Sequence, residues 1–437
     1  MALIKTMNDG GSSSVLYTDR RQFYIKPEQF AELWPAVTPF TTFVMAASNS
    51  MTGLQDPLFK MFEHRNPWER QAFSINGASE GTVPNNDTGL ASVTVDGAVG
   101  LASTPDTSWV GLEIEVWNEA KTTKKGVALV TAASGNDLTL KNLGTTAFDL
   151  EDNDYCTVIG NARGEGQTSP AAWSDELEVV WNSTQIFRTP VEITGTLYQA
   201  ALRGANSELA RLRAQKAAEH KMQMERAFMF GSSVIGTNLD GNGTFGDNYR
   251  TDGDSKAVRT TMGIISAIEN YGVSTSTAED QNIFDFSGGL TWNQFVDATE
   301  KIFQYLPNSG TRVAFCGPGA MSYFSKIDNA ASKLKTGFNI QLSDMKVDQL
   351  GYNFKSLETP FGVIQLVYTP ALKRERTNFM VLPSQDNIYH ATYRPSSYRT
   401  NIKTDNGYDG IKDEYFSDEG IGMSLIESHA LIKTPTA

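Results

Sequence analysis

Cysteine and histidine are both scarce in this sequence. Cys156 and Cys316 are the only cysteines among 437 residues, and no CxxC pair exists. Two thiols so far apart license no disulfide and read as small buried side chains in a reducing cytoplasm. His64, His220, His390 and His429 are scattered, with no HExxH and no His/Cys cluster at zinc spacing. His220 lies among charges and reads as a solvated or interface side chain. No run approaches the roughly 20 apolar residues that a membrane helix needs. The start, MALIKTMNDGGSSS, lacks the apolar core of a secretory signal. A soluble protein made in the cytoplasm is therefore expected, and the sequon at Asn182 carries no meaning without secretion. Positive charge is in deficit. A net charge of −13 argues against nonspecific nucleic-acid binding through the overall surface, though it leaves room for a local basic face.

Catalytic signatures are missing as well. Neither GxSxG nor GxxxxGK[ST] occurs. Gly241, Gly243 and Gly246 spell GxGxxG, but the flanks SSVIGTNLD and DNYRTDGDSK supply neither the strand nor the helix that a dinucleotide fingerprint requires. Asp405, Asp409 and Gly410 match positions one, five and six of a calcium loop. Gly407 at position three and Phe416 at position twelve do not. A glycosidase-like carboxylate pair cannot be picked from spacing, because such pairs meet only in the fold. No cofactor and no metal is expected.

What is present is a chain 40% apolar and 20% charged, long enough for two to three domains with ample cores. Residues 1–60 hold a flexible GGSSS and short helical fragments such as PEQFAELWP, without the apolar density of an independent core, so they read as an arm lying on something else. WERQAFSI (68–75) and ELEVVWNSTQIFRTPVEI (176–193) are rich in strand formers and are expected to pair as one long antiparallel hairpin. Between them, about 83–168, short strand-like runs separated by SGND and EDND turns predict a small β-barrel or sandwich. Residues 82–168 carry twelve acidic and five basic side chains, read as a solvated surface.

Next comes SELARLRAQKAAEHKMQMERAFMFG, ending at Gly231. Leu202, Ala205, Leu209, Leu212, Ala217, Met224 and Phe228 form one stripe, which predicts a helix from Tyr198 to Phe230 about 50 Å long. It carries Arg203, Arg211, Arg213, Lys216, Lys221 and Arg226 against Glu208, Glu219 and Glu225, a net of +3. That face reads either as solvated ion pairs or as turned toward a polyanion or toward acidic neighbours. Residues 232–285 are loop-rich, and TWNQFVDATEKIFQYL (291–306) is an amphipathic helix opened by a Thr291/Gln294 capping box. RVAFCG, FGVIQLVYTP, TNFMVLP and GIGMSLIESHALIK read as strands, with the polar, acidic stretch 403–420 before the last.

This order of parts resembles the major capsid proteins of tailed bacteriophages with the Hong Kong 97-type fold, in a subfamily with a β insert. WNSTQIFRTPVEITGTLYQAALRG (181–204) and MERAFMFG (224–231) are its most characteristic passages. The resemblance implies an α+β fold with an N-terminal arm (1–60), an extended hairpin loop (61–194) carrying a β-barrel-like insert at 83–168, and a spine helix (195–231). Axial-domain segments would be 232–285 and 311–375; the peripheral helix would be 286–310 and the peripheral strands 376–437. It also implies a non-enzymatic shell protein of pentamers and hexamers around double-stranded DNA, located in the virion. Its partners would be itself, a separate scaffolding protein or none, a portal, decoration proteins and DNA by nonspecific contact, with no membrane. Trp68, Phe73, Trp181, Ile186 and Phe187 are the candidate inter-subunit anchors, with packing inside their own chain against the insert or the spine as the alternative, and Arg211, Arg213 and Lys216 the candidate inner-face cations. Two other readings remain: a nucleotide-binding α/β enzyme, from the glycine loop beside 291–316, and a tail or adhesin component, from the β insert.

Overall fold

The computed structural model describes residues 38–46, 50–64, 71–76, 81–85, 91–99, 105–166, 177–199, 207–233, 250–251, 257–275, 280–305, 310–324, 343–346, 353–374, 376–402 and 409–435. The chain divides into two compact units, one of Met1–Glu63 with Val179–Ala437 and one of His64–Glu178.

Helix α1 (Pro39–Ala46) is the first described element. Its proline has no N–H to lose at a helix start. Phe40, Phe43 and Val44, spaced three and one apart, share its buried face. Phe40 and Phe43 meet the Phe315 ring edge-on at centroid distances of 5.2 and 5.3 Å. The expectation of an arm without its own burial is therefore corrected for this segment, because α1 is set into the core of its own chain. PEQFAELWP lies outside the described residues. Strands β1 (Ser50–Thr52) and β2 (Leu58–Glu63) follow.

The second unit holds β3 (Ala72–Ile75), β4 (Gly81–Val83), β5 (Ala91–Val99), β6 (Leu112–Trp117), β7 (Lys124–Ser134), β8 (Asp137–Asn142), β9 (Phe148–Leu150) and β10 (Tyr155–Asn161). Six strands close into a barrel in the order β10-β3-β5-β8-β7-β6, while β4 and β9 form a separate pair. The period-two pattern fills the barrel, with Leu138 and Leu140 inward on β8, and Ile114 and Val116 inward on β6. Gly135, at φ 60°, makes the tight β7–β8 turn. The insert is thus a closed barrel, but with different limits from those expected. β3 pairs with β5 and β10 instead of with 176–193, which corrects the long-hairpin expectation. Ala72, Phe73 and Ile75 are all buried, and barrel closure covers them where a thin hairpin leaves one face wet.

Back in the first unit, β11 (Glu178–Ser183) pairs with β2, and β12 (Gln185–Thr194) leads to α2 (Gly195–Gln199) and α3 (Glu208–Phe230). The single helix from Tyr198 is corrected: Ser207 is extended and caps α3, its side chain accepting from the Ala210 N–H. The 23 residues of α3 span about 35 Å. Then come β13 (Arg250–Thr251), β14 (Ala257–Val258), α4 (Ile264–Tyr271), β15 (Ile283–Asp285), α5 (Trp292–Phe303), β16 (Thr311–Cys316) and a helical stretch at 318–324. The chain ends with β17 (Ser343–Lys346), β18 (Asn353–Glu358), β19 (Val363–Tyr368), β20 (Phe379–Leu382), β21 (Ile388–Arg399), β22 (Gly410–Met423) and β23 (Ala430–Lys433).

A seven-stranded sheet, β15-β23-β20-β16-β19-β18-β17, forms a middle layer. On one face Ala314, Cys316, Leu366 and Met380 meet Phe295, Ala298 and Ile302 of α5, which opens on the expected Thr291/Gln294 capping box. On the other, Phe315, Val367, Val381 and Leu431 meet α1, α3 and α4. A four-stranded sheet, β1-β21-β22-β12, supports α3. One expectation is revised here. GIGMSLIESHALIK is not one strand, since Leu425 at φ 48° ends β22 before a short turn into β23. The acidic stretch before it enters Gly410–Met423, the longest described strand.

Candidate assembly scaffold: the spine helix on a carboxylate-lined sheet

The buried face of α3 consists of Leu209, His220, Met224, Glu225, Phe228 and Met229. Four are apolar; His220 and Glu225 are polar, and each has its partners. The His220 ring nitrogens lie 3.0 Å from the Thr189 hydroxyl and 2.9 Å from the Ser417 hydroxyl. Burial pushes the imidazole pKa down, against the pull of Glu419. A Ser–His contact suggests hydrolytic chemistry, but Ser417 is fully buried and also touches Met224, so no substrate reaches it. The helix stops at Gly231, where any side chain would strike the backbone carbonyls of Thr261 and Ala227.

Strand β22 carries the other half of the arrangement. Asp413, Glu414, Asp418 and Glu419 are all buried. Asp413 accepts from Arg213 of α3 at 2.7 Å, from the Tyr398 hydroxyl and from the Asn401 N–H. Burial pushes its carboxyl pKa up, but these three donors outweigh it and hold the group below the ordinary value. The same contact raises Arg213. Burial, then the hydrogen bond to Asp413, pushes the Tyr398 hydroxyl up to about 12. Glu414 takes a two-pronged contact from Arg188 at 3.0 and 2.7 Å and a further one from Arg399 at 3.3 Å. Asp418 binds Arg394 at 2.9 Å and Arg259 at 3.3 Å. Glu419 accepts from Ser396 at 3.0 Å and lies 2.9 Å from His390; burial alone would raise it, yet these partners lower it. Arg394 and Arg399 also stack on Phe416, at 4.5 and 3.7 Å. Breaking such buried pairs one-sidedly is costly, so they tie β22 to its neighbours, and the Arg213–Asp413 pair ties it to α3.

The sequence-predicted residues disperse over this frame. Phe73 is 1% exposed in the barrel core, 5.4 Å from Trp109. Phe187 is 4% exposed, edge-on to Phe228 at 6.3 Å. Both are corrected as free anchors, since each is buried within its own unit by aromatic packing. Ile186, next along β12, is 44% exposed, and Trp181 is half-buried. Trp68 lies outside the described residues, as do the glycine loop 241–246 and Asp405. Arg211 pairs with Glu208 and Lys216 with Glu219, each one turn away on the helix at 2.7 and 2.8 Å. Arg213 instead reaches across to the sheet. Both cysteines are free and buried, and burial pushes both thiols well above their ordinary range. Among the described residues no three His, Cys, Asp or Glu side chains are grouped to hold a metal, and no helix is long and apolar enough to cross a membrane.

Sequence reading misjudged His220, expected as a solvated or interface side chain but buried here, and gave no role to Glu225 or the four β22 carboxylates. The wheel did hold a signal for two of them: His220, Met224 and Phe228 step by four, and Glu225 and Met229 likewise. The β22 carboxylates gave none, because their arginines come from β12, α3, β21 and residue 259.

The frame is thus a long helix held on a sheet by buried polar pairs. Residues 28–434 match the model of the SU10 major capsid protein family, and the chain belongs to that family. Its members are structural proteins, so the chain is a major capsid protein with no enzymatic role. A major capsid protein of Pseudomonas phage PaMx41 is 29% identical over 205 residues, which is 46% of this chain and 44% of that one. The chain thus aligns with under half the length of that relative. Among solved structures, the capsid of a native GTA particle covers 95% of each chain with a TM-score of 0.44 at 9% identity. A cyanophage A-1(L) capsid covers 63% of this chain and 85% of its own, with a TM-score of 0.40 at 10% identity. An encapsulin from Synechococcus elongatus PCC 7942 covers 60% and 78%, with a TM-score of 0.38 at 8% identity.

Proposed function

We propose that this chain assembles with copies of itself into pentamers and hexamers of an icosahedral shell that encloses double-stranded DNA in the virion, and that it is built in the host cytoplasm. The observation that carries this is the family match across 28–434, nearly the whole chain. The locked α3–β22 frame supports it, since a repeated subunit needs one rigid body from which its contacts project. A scaffolding protein, a portal and decoration proteins complete the proposed partners. Ile186, exposed beside the buried Phe187, and the half-buried Trp181 are the anchors retained for neighbouring copies. Arg211 and Lys216, partly exposed, are the cations retained for the inner face.

Expression alone and with its scaffolding protein, followed by electron microscopy, tests the proposal. Closed shells are expected. Persistent monomers under every assembly condition overturn it, and tubes or fibrous trimers favour a tail or adhesin role instead.

A further inference from the structure

Every arginine of the α3–β22 network faces a carboxylate: Arg188, Arg213, Arg259, Arg394 and Arg399 each have one within 3.3 Å. Arg312, the most deeply buried of the described arginines at 4% exposure, has none. It stands at the start of β16, and its Nη1 donates to the Ser428 carbonyl at 2.8 Å. Its Nε and Nη2 are buried without any partner. The ring of Phe303 lies 5.9 Å from the guanidinium. Burial lowers its pKa to about 10, and no carboxylate acts against that, so the group keeps its charge at neutral pH.

The neighbouring buried group adds no negative charge. His429, fully buried, accepts the Ser384 N–H on Nδ1 at 3.0 Å, which places the ring proton on Nε2. That Nε2 makes no well-formed hydrogen bond, although the Ser424 and Asn387 backbones lie near enough to favour a proton on the ring. Burial first, and then the Arg312 charge, pushes this imidazole down to about 4, although the Ser424 and Asn387 backbones and Glu427 pull the other way. The ring is therefore neutral. Three elements meet here: the start of β16, the chain just beyond β20 at Ser384, and the entry to β23 at Ser428 and His429. The unpartnered atoms they bring are all donors.

An uncompensated buried cation is among the costliest arrangements in a folded protein. A water molecule would accept one N–H but supply no charge, and its own two hydrogens would need acceptors. A halide needs only donors. We propose that Arg312 holds a small monovalent inorganic anion of chloride size, enclosed at this end of the seven-stranded sheet. The free Arg312 Nε and Nη2 are the donors that would hold it, and the ion becomes enclosed as the chain folds.

Thermal unfolding of the full chain in sodium chloride, sodium bromide and sodium gluconate at equal ionic strength tests this, together with crystals grown in bromide. Chloride and bromide are expected to raise the Tm by about 2 °C over gluconate and to saturate. Arg312→Met is expected to lose that dependence. An anomalous bromide peak within hydrogen-bond distance of the wild-type guanidinium completes the expectation. The same halide dependence in Arg312→Met overturns the proposal, as does a wild-type map with water or nothing beside Arg312. A bromide peak unaccompanied by any Tm effect marks an adventitious ion only and also overturns it. If Arg312→Met fails to fold, Arg312→Lys and the wild-type bromide map still decide.

Discussion

The Glu225 carboxylate, on the spine helix, accepts from the Phe40 N–H at 3.1 Å and from both the N–H and the hydroxyl of Thr41 at 2.6 Å. It caps α1 from 185 residues away in sequence. The first N–H groups of a helix have no partner within the helix, and a carboxylate also suits the positive end of its dipole. Burial pushes Glu225 up, and the Thr41 and Phe40 donors pull it back only in part.

Removing this cap is expected to free α1. Glu225→Ala leaves two buried N–H groups and a hydroxyl unpaired, at a cost of about 2–4 kcal/mol. Glu225→Gln retains one acceptor and is expected to cost about half as much. Urea denaturation gives the energies, and limited proteolysis near residues 38–50 shows whether α1 is released. A loss of stability with cleavage there unchanged would place the effect elsewhere.

Arg213 differs from its neighbours on α3 in what its loss leaves behind. Arg213→Gln strands Asp413, 1% exposed, without its cation, and an expected loss of about 3 kcal/mol follows. Arg211→Gln and Lys216→Gln break partly exposed pairs one turn apart and are expected to cost less, under about 1 kcal/mol. If Arg211 and Lys216 face DNA, the double substitution lowers genome retention and leaves assembly intact, whereas Arg213→Gln lowers both. Equal loss of assembly from all three, read by sedimentation and packaged-DNA content, would mean that Arg211 and Lys216 serve subunit contacts.

His429 makes stability depend on pH in a definite direction. Its folded pKa, about 4, lies below the ordinary 6.5. The unfolded chain therefore binds the proton first, and stability is complete above pH 6.5 and is lost as pH falls toward about 4. The loss amounts to about 3 kcal/mol at most. Asp413 and Glu419, both lowered, act the same way further down, starting near their ordinary values of 3.8 and 4.5. His429→Asn, whose Oδ1 replaces Nδ1 toward Ser384, is expected to flatten the slope between pH 6.5 and 4 while leaving the more acidic loss in place. An unchanged slope in chemical denaturation across that window would remove His429 as its source.

Much of this molecule was legible beforehand where a local rule decides. The capping box of α5 needs only Thr291 and Gln294, and the end of α3 needs only a glycine at 231. The barrel announced itself through alternation and turn residues. What stayed hidden depends on partners far away in the chain. The first part of β22 was not read as strand, because four carboxylates in fourteen residues are unfavourable in a sheet until partners from other elements cover them. Residues 38–46 looked like part of a limb in need of a neighbour, yet Phe40 and Phe43 pack on Phe315, about 275 residues on. An unburied limb is therefore no ground for a shell in that segment, and membership of the capsid family rests on the match over 28–434 instead. Of the proposed anchors, Phe73 and Phe187 were misplaced because aromatic residues mark cores as readily as interfaces.

The barrel has a core of its own, with Phe73, Trp109, Ile114, Leu138 and Leu140 all buried in it. Its acidic surface is partly tied down: Lys125 bridges Asp154, 1% exposed, and Glu151 at 2.8 and 2.7 Å. A unit with its own apolar core and closed edges unfolds as its own cooperative block. Phe73→Ala, in the full chain, is expected to lower the barrel's transition by about 3–5 kcal/mol and to leave the transition of the α3–β22 unit unmoved. Phe228→Ala, fully buried on α3, is expected to do the reverse. Hydrogen exchange read segment by segment separates the two. A single transition that shifts equally with either substitution would show that the barrel and the rest of the chain fold as one, and the shell would then have to be built from one cooperative body instead of two.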